Sequence, residues 1–219
     1  MAPAVVAIIL MGSCKPGSRY EYRLKKELAS GVRHDSLFMG MYLGMTDKDF
    51  YTLCWELNRE GVIRQSHSNT SVQFHPGEQL NHPATMNFYP KFVDGKIAEM
   101  PVQFSYDGWA PWNKELSSAR LVEDIREWYE KEYGKGFIAV THPVRGKAFT
   151  KIDGNRRITI YQEDDLYAWA VFTDMTAVNE NEADQTAESG DKEPEELADE
   201  EKAYDEQAHD EQAHDAPSE

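Results

Sequence analysis

Three histidines lie within sixteen residues in the first half of the chain: His67, His75 and His82. Imidazole is a common zinc ligand, and three imidazoles are enough for a catalytic zinc site. Their spacing matches no helical or tight-turn ligand pattern, and the segment is rich in turn-forming residues. The sequence therefore predicts ordinary loop histidines here. His209 and His214 recur in a low-complexity repeat near the C-terminus, and a solvated repeat is the simpler interpretation.

Two acidic pairs and one thiol are the other residues with catalytic chemistry. Paired carboxylates can act as general acid and base. Asp164-Asp165 lies at a predicted hairpin, however, and Glu123-Asp124 lies on the polar face of a predicted helix. Cys54 falls within an apolar helical pattern, "FYTLCWEL", and is predicted to be a small buried hydrophobe. The predicted position of each of these residues explains its presence without a catalytic role.

Motifs that would define an enzyme are absent from the sequence. It contains no Gly-x-Ser-x-Gly elbow, no His-Glu-x-x-His and no glycine-rich phosphate loop after a strand. We therefore expect no catalytic residues, no metal site, no cofactor and no enzymatic activity.

A loop rich in tryptophan is the best candidate contact surface. The segment "SYDGWAPWNKEL" places Tyr106, Trp109 and Trp112 around a glycine and a proline. Rigid aromatic side chains dominate interface energetics, so the three residues are predicted partner-binding residues. Two alternatives remain open: the rings stack on sugars, or they fold back as a plug between two halves of the protein.

The net charge of −16 is concentrated at the C-terminus. The sequence has 39 acidic and 23 basic residues. Residues 179–219 contain 17 of the acidic and two of the basic residues, so the rest of the chain has 22 acidic and 21 basic residues. The body is thus nearly neutral, and the low pI describes a tail rather than a binding surface. This distribution argues against nucleic acid as a partner. Residues 178–219 are predicted to be a disordered acidic tail.

The first residues, "AVVAIILMGSC", resemble a bacterial lipoprotein signal whose lipobox is Leu10-Met11-Gly12-Ser13-Cys14. The resemblance implies a signal peptide at residues 1–13 and lipidation of Cys14. The polar and basic composition of residues 14–34 predicts a tether with some helix. Lys15 differs from the aspartate that can retain lipoproteins in the inner membrane, so we expect the outer membrane of a Gram-negative bacterium. The alternative is a buried strand in a cytosolic protein.

The order of predicted elements repeats about 70 residues apart. Thr46 is a good N-cap for a helix that ends near Gly61, and Ser117 or Ser118 caps a second helix that ends near Gly134. Strand-like segments follow each helix. The sequence therefore predicts an α+β fold of two tandem α-β-β-β units, at residues 35–108 and 109–177, with the helices packed on antiparallel sheet.

Two segments carry a family resemblance. "LGMTDKDFYTLCWEL" is similar to the helix opening of the SmpA/OmlA type of small outer-membrane lipoproteins, and "FVDGKIAEMPVQF" is similar to the strands that follow that helix. Two such units in tandem also resemble β-lactamase-inhibitor-protein architecture. The resemblance, over residues 36–175, implies a lipid-anchored envelope scaffold that binds a protein partner through its sheet faces or loops. The alternatives are a surface glycan-binding lipoprotein that uses the Trp109/Trp112 loop, and a soluble cytosolic interaction protein.

Overall fold

A computed structural model describes residues 16–66, 70–142 and 145–177 of the chain. The α-helices of this part are α1 (Pro16–Ala29), α2 (Asp47–Arg59) and α3 (Ser118–Glu132). Its strands are β1 (Arg64–Gln65), β2 (Val72–Phe74), β3 (Ala84–Phe88), β4 (Lys91–Val93), β5 (Lys96–Tyr106), β6 (Ile138–His142), β7 (Gly146–Asp153), β8 (Arg156–Gln162) and β9 (Ala168–Asp174).

All nine strands belong to one antiparallel sheet. Eight of them follow the order β1-β2-β3-β5-β9-β8-β7-β6, and β4 pairs with β5 beside this path. The predicted α+β class, with helices packed on antiparallel sheet, is therefore confirmed. The sequence predicted three strands after each helix. In the described part of the chain, five strands follow α2 and four follow α3.

The two ends of α2 match the sequence signals. Thr46 adopts an extended backbone, and its hydroxyl oxygen accepts a hydrogen bond from the N–H of Asp49 at 3.2 Å. This bond satisfies one of the N–H groups that a helix start leaves unpaired. Gly61, at φ +74°, follows the C-terminal end of the helix.

Helices α2 and α3 cover one face of the sheet. Phe50 of α2 is buried there, as are Leu121, Ile125 and Trp128 of α3. Alternate residues along β5 and β9 point to the same side and complete the core with large apolar side chains. These include Met100, Val102, Phe104 and Phe172.

Helix α1 packs against the opposite face of the sheet. Leu24 and Tyr20 contact Ile152 and Met175 in a second, small apolar cluster. The hydroxyl of Tyr20 also accepts a hydrogen bond from Arg157 at 3.0 Å. The segment interpreted as a tether from sequence, residues 14–34, therefore contains a helix that is docked on the sheet.

Candidate functional site

The tryptophan loop between β5 and α3 is divided between buried and exposed residues. Tyr106 is buried, and its hydroxyl donates a hydrogen bond to the carboxylate of Asp124. Its ring therefore faces the core and offers no surface to a partner. Trp109 is half-buried, whereas Trp112 is 86% exposed. Trp112 consequently does not plug the interior, and it is the residue of this loop most available for contact.

His75 and His82 both lie in the segment between β2 and β3. His75 lies beside the backbone oxygen of Ala84, at 3.2 Å from its Nδ1, and the ring of His82 packs edge-on against Tyr106. Among the residues that the structure describes, no group of three or more His, Cys, Asp or Glu side chains is placed to hold a metal ion. His67 and the two tail histidines lie outside the described residues.

Cys54 is half-buried on α2, beside the main apolar cluster. Burial raises the pKa of its thiol to about 11. The thiolate, which is the nucleophilic form, is therefore scarce at neutral pH. This environment supports the prediction of a structural cysteine.

The two acidic pairs have structural partners. Asp164 caps a turn, because its carboxylate accepts the N–H groups of Leu166 and Tyr167 at 2.8 and 2.7 Å. Asp124 differs from its expected place on the polar face of α3, since it is buried and accepts the Tyr106 hydroxyl. The pair Tyr106–Asp124 thus ties the end of β5 to α3. Burial, with this hydrogen bond, raises the pKa of Tyr106.

An exposed row of large side chains runs along the outer face of α2. Tyr51, Trp55 and Arg59 follow one another at four-residue intervals, which places them on one side of the helix. Tyr51 is 52% exposed and Trp55 is 62% exposed. The guanidinium carbon of Arg59 lies 4.9 Å from the centre of the Trp55 ring, within the range of a cation–π contact.

Tyr89, after β3, extends this row onto the sheet. Its hydroxyl is 2.5 Å from that of Tyr51, and its own ring is 40% exposed. The hydrogen bond to Tyr51, with burial, raises the pKa of Tyr89 to about 12. Phe50 and Phe92 pack beneath the two tyrosines at centroid distances of 5.6–6.5 Å. We call Tyr51, Trp55, Arg59 and Tyr89 the α2 surface.

Sequence reasoning missed the α2 surface although the signal was present. Phe50, Cys54 and Leu57 follow helical spacing and mark the buried side of α2. Tyr51 and Trp55 lie between them on the other side, where an ordinary surface helix has charged or small polar residues. Two aromatic residues four apart on the polar side were the observation that pointed to a contact surface.

A pocket of about 500 Å³ opens on the face of the sheet opposite α2 and α3. Gln73, Asn87, Gln103 and Trp169 form its floor, each from a different strand. These four residues are direct cross-strand neighbours in register. Their side chains therefore form a row across the middle of the sheet.

Comparisons of the chain with protein-family models, with characterised proteins and with solved structures found no match. Within the described residues, no helix has the length and apolar character needed to span a membrane. Cys14 and the acidic tail lie outside the described residues.

Proposed function

We propose that this protein is a non-enzymatic, lipid-anchored module of the cell envelope that binds another protein through the α2 surface. The observation that carries the proposal is the exposed row Tyr51–Trp55–Arg59 with Tyr89 beside it. Tryptophan, tyrosine and arginine are the residues most enriched at the energetic centres of protein interfaces.

Contacts within the α2 surface orient its side chains before any partner binds. Tyr51 and Tyr89 share a hydrogen bond, and Arg59 stacks on Trp55. Aromatic side chains fixed in this way lose little conformational entropy on binding. Such a surface suits a partner with an apolar groove or a flat apolar patch.

A two-unit organisation of the body is part of the proposal. Strands β5 and β9, the last strand after α2 and the last after α3, pair with each other at the centre of the sheet. From this pair outwards the order runs β3-β2-β1 on one side and β8-β7-β6 on the other. This matching order supports two related helix-plus-strand units that share one sheet, with β4 as an addition to the first.

The envelope location rests on the N-terminal sequence. The lipobox resemblance implies lipidation of Cys14. The nearly neutral body and the acidic tail both disfavour nucleic acid as a partner. An N-terminal lipid would hold the module at the membrane, and stable anchoring takes more than a single acyl chain. We place the protein at the outer membrane of a Gram-negative bacterium.

Site-specific crosslinking tests the protein-binding function. A photoreactive phenylalanine analogue replaces Trp55, and the crosslinked products are analysed by mass spectrometry after illumination of intact cells. We expect one dominant protein adduct, reduced by Tyr51→Ala because truncation of an interface anchor costs about 2 kcal/mol or more. The matched control places the same analogue at Trp112, which is also exposed but lies outside the α2 surface. An equal adduct pattern at both positions contradicts the proposal.

Measurement of the intact mass of the protein tests the proposed lipid anchor at Cys14. The protein purified from its native membranes is compared with a Cys14→Ala variant. Loss of residues 1–13 with added acyl mass, both abolished by the substitution, supports the lipoprotein assignment. An unprocessed soluble chain supports the alternative of a cytosolic interaction protein.

The second candidate function is glycan binding through the Trp109/Trp112 loop. The observation that favours it is the 86% exposure of Trp112, since an accessible indole ring can pack on the C–H face of a sugar. A Trp112→Ala variant that loses oligosaccharide binding supports this candidate.

A further inference from the structure

The pocket on the sheet face opposite α2 and α3 has an unusual set of polar groups. Gln73, Asn87 and Gln103 lie side by side on β2, β3 and β5. All three are partly buried, and within the described part of the chain none of their side chains makes a hydrogen bond. The Oδ1 atom of Asn87 is buried without a hydrogen-bond partner. Three adjacent amides thus keep hydrogen-bonding capacity that the described protein does not use.

An aromatic ring continues the row. Trp169 is the register neighbour of Gln103 on β9, and it is half-buried. Its indole N–H donates a hydrogen bond to Glu163 at 2.6 Å, which fixes the orientation of the ring. Tyr167 and Tyr89 also line the pocket.

None of the described residues that line the pocket carries a charge. The strongest hydrogen bonds to phosphate and carboxylate ligands are charge-assisted ones from arginine or lysine. A pocket built from amides, hydroxyls and aromatic rings offers none of these. Its chemistry therefore selects against charged ligands.

A sugar matches this chemistry. Each hydroxyl group donates one hydrogen bond and accepts others, and each amide side chain does both as well. The C–H face of a pyranose ring packs on an aromatic face. The volume, about 500 Å³, falls within the range of about 300–1,000 Å³ for small-molecule sites. We propose that this pocket binds a neutral saccharide unit, with Gln73, Asn87 and Gln103 hydrogen-bonded to hydroxyls and Trp169 packed against the ring.

A peptide is a poorer fit to this place in the sheet. Extended peptides bind sheets by adding to an edge strand, where backbone groups are unpaired. Strands β3, β5 and β9 are interior strands with a neighbour on each side. The site differs from the α2 surface proposed above, because Tyr89 belongs to both but Tyr51, Trp55 and Arg59 do not line the pocket.

Saturation-transfer NMR on the full chain tests the inference. The probes are five neutral disaccharides (cellobiose, maltose, lactose, mannobiose and N,N′-diacetylchitobiose), with glucose 6-phosphate and glucuronic acid as charged comparisons. We expect transfer to at least one neutral disaccharide and a weaker signal from the charged sugars. Gln103→Ala should lower the affinity about 3- to 10-fold, the effect of one lost hydrogen bond.

A matched control separates the pocket from the rest of the sheet. Ser105→Ala changes the same face of the same strand two residues away, outside the pocket lining, and should leave the affinity unchanged. Circular dichroism checks that each variant is folded, and Asn87→Ala provides a second pocket variant. Absence of transfer to every neutral disaccharide overturns the inference. So does preference for the charged sugars, or a loss of binding caused by Trp112→Ala and not by Gln103→Ala.

Discussion

Asp174, at the end of β9, is a buried carboxylate with several hydrogen-bond donors. It accepts hydrogen bonds from the backbone N–H of Thr176 at 2.9 Å, from the Thr176 hydroxyl at 2.6 Å and from the guanidinium of Arg33 at 2.8 Å. Burial acts to raise its pKa, but the hydrogen bonds outweigh burial and hold the pKa below its ordinary value. The ionised form of Asp174 therefore stabilises the fold, and it fastens the chain segment after α1 to the sheet.

The substitution Asp174→Asn should lower the free energy of unfolding at pH 7 by about 1–2 kcal/mol, since hydrogen bonds to a charged group are lost. The difference from the unsubstituted protein should be full above about pH 4, the ordinary aspartate pKa, and should shrink as the pH falls through the lowered folded pKa. Urea unfolding of both proteins at a series of pH values measures this difference in the free energy of unfolding. Asp94→Asn, at an exposed hairpin position, is the control. A difference that stays constant down to pH 2 contradicts the prediction.

At the residue scale, local signals were predictable and long-range partners were not. The cap at Thr46 follows from residue type and the spacing to Asp49, and the structure confirms it. Asp124 looked like a surface residue because its neighbours in α3 are charged. Its burial depends on the Tyr106 hydroxyl, which lies 18 residues away and meets it only in the folded chain.

Helix α1 shows at the element scale how a polar segment can still be part of the body. Most of its residues are polar or charged, so its composition predicted a tether with some helix. Tyr20 and Leu24, four residues apart, nevertheless form a narrow apolar side that packs on Ile152 and Met175. Its position is set by Ile152 on β7 and Met175 after β9, which lie more than 100 residues later in the chain. That dependence could not be read from the helix alone.

Leucine truncation measures how firmly α1 is docked. Leu24 is 7% exposed, whereas Leu28, one turn later, is 36% exposed. Leu24→Ala should lower the free energy of unfolding by about 2–3 kcal/mol, because buried methyl groups are lost and a cavity remains. Leu28→Ala should cost less than about 1 kcal/mol. Denaturant unfolding measures the free energy of unfolding of both variants. An equal loss of stability in the two would contradict the docked position of α1.

At the scale of the whole molecule, the pairing of the strands that join the two halves could not be predicted from the sequence. The turns and helix caps, about 70 residues apart, predicted the elements in order. The pairing of β5 with β9, however, joins residues about 70 positions apart in register, as in Val102 with Ala170. The alternation of apolar residues specifies which face of a strand is buried, but β5 and β9 are not joined by a turn that would fix which residues pair.

The shared core implies that the two halves unfold together. Phe104 of β5 contacts Trp128 and Tyr129 of α3 at centroid distances of 6.3 and 6.5 Å. Phe104→Ala should therefore destabilise the whole described body by about 3–5 kcal/mol. Hydrogen exchange measured by mass spectrometry should show faster exchange in the interior of both β3 and β8, because global unfolding exposes both.

Exposed Trp112 provides the control for this experiment, because Trp112→Ala removes a side chain outside the core and should leave both exchange rates unchanged. Faster exchange confined to β3 would mean that the first half opens alone. Equal acceleration in β3 and β8 would mean that β5 and β9 make one cooperative unit of two halves. We expect the second result, since the interior strand pair and α3 bury the same apolar residues.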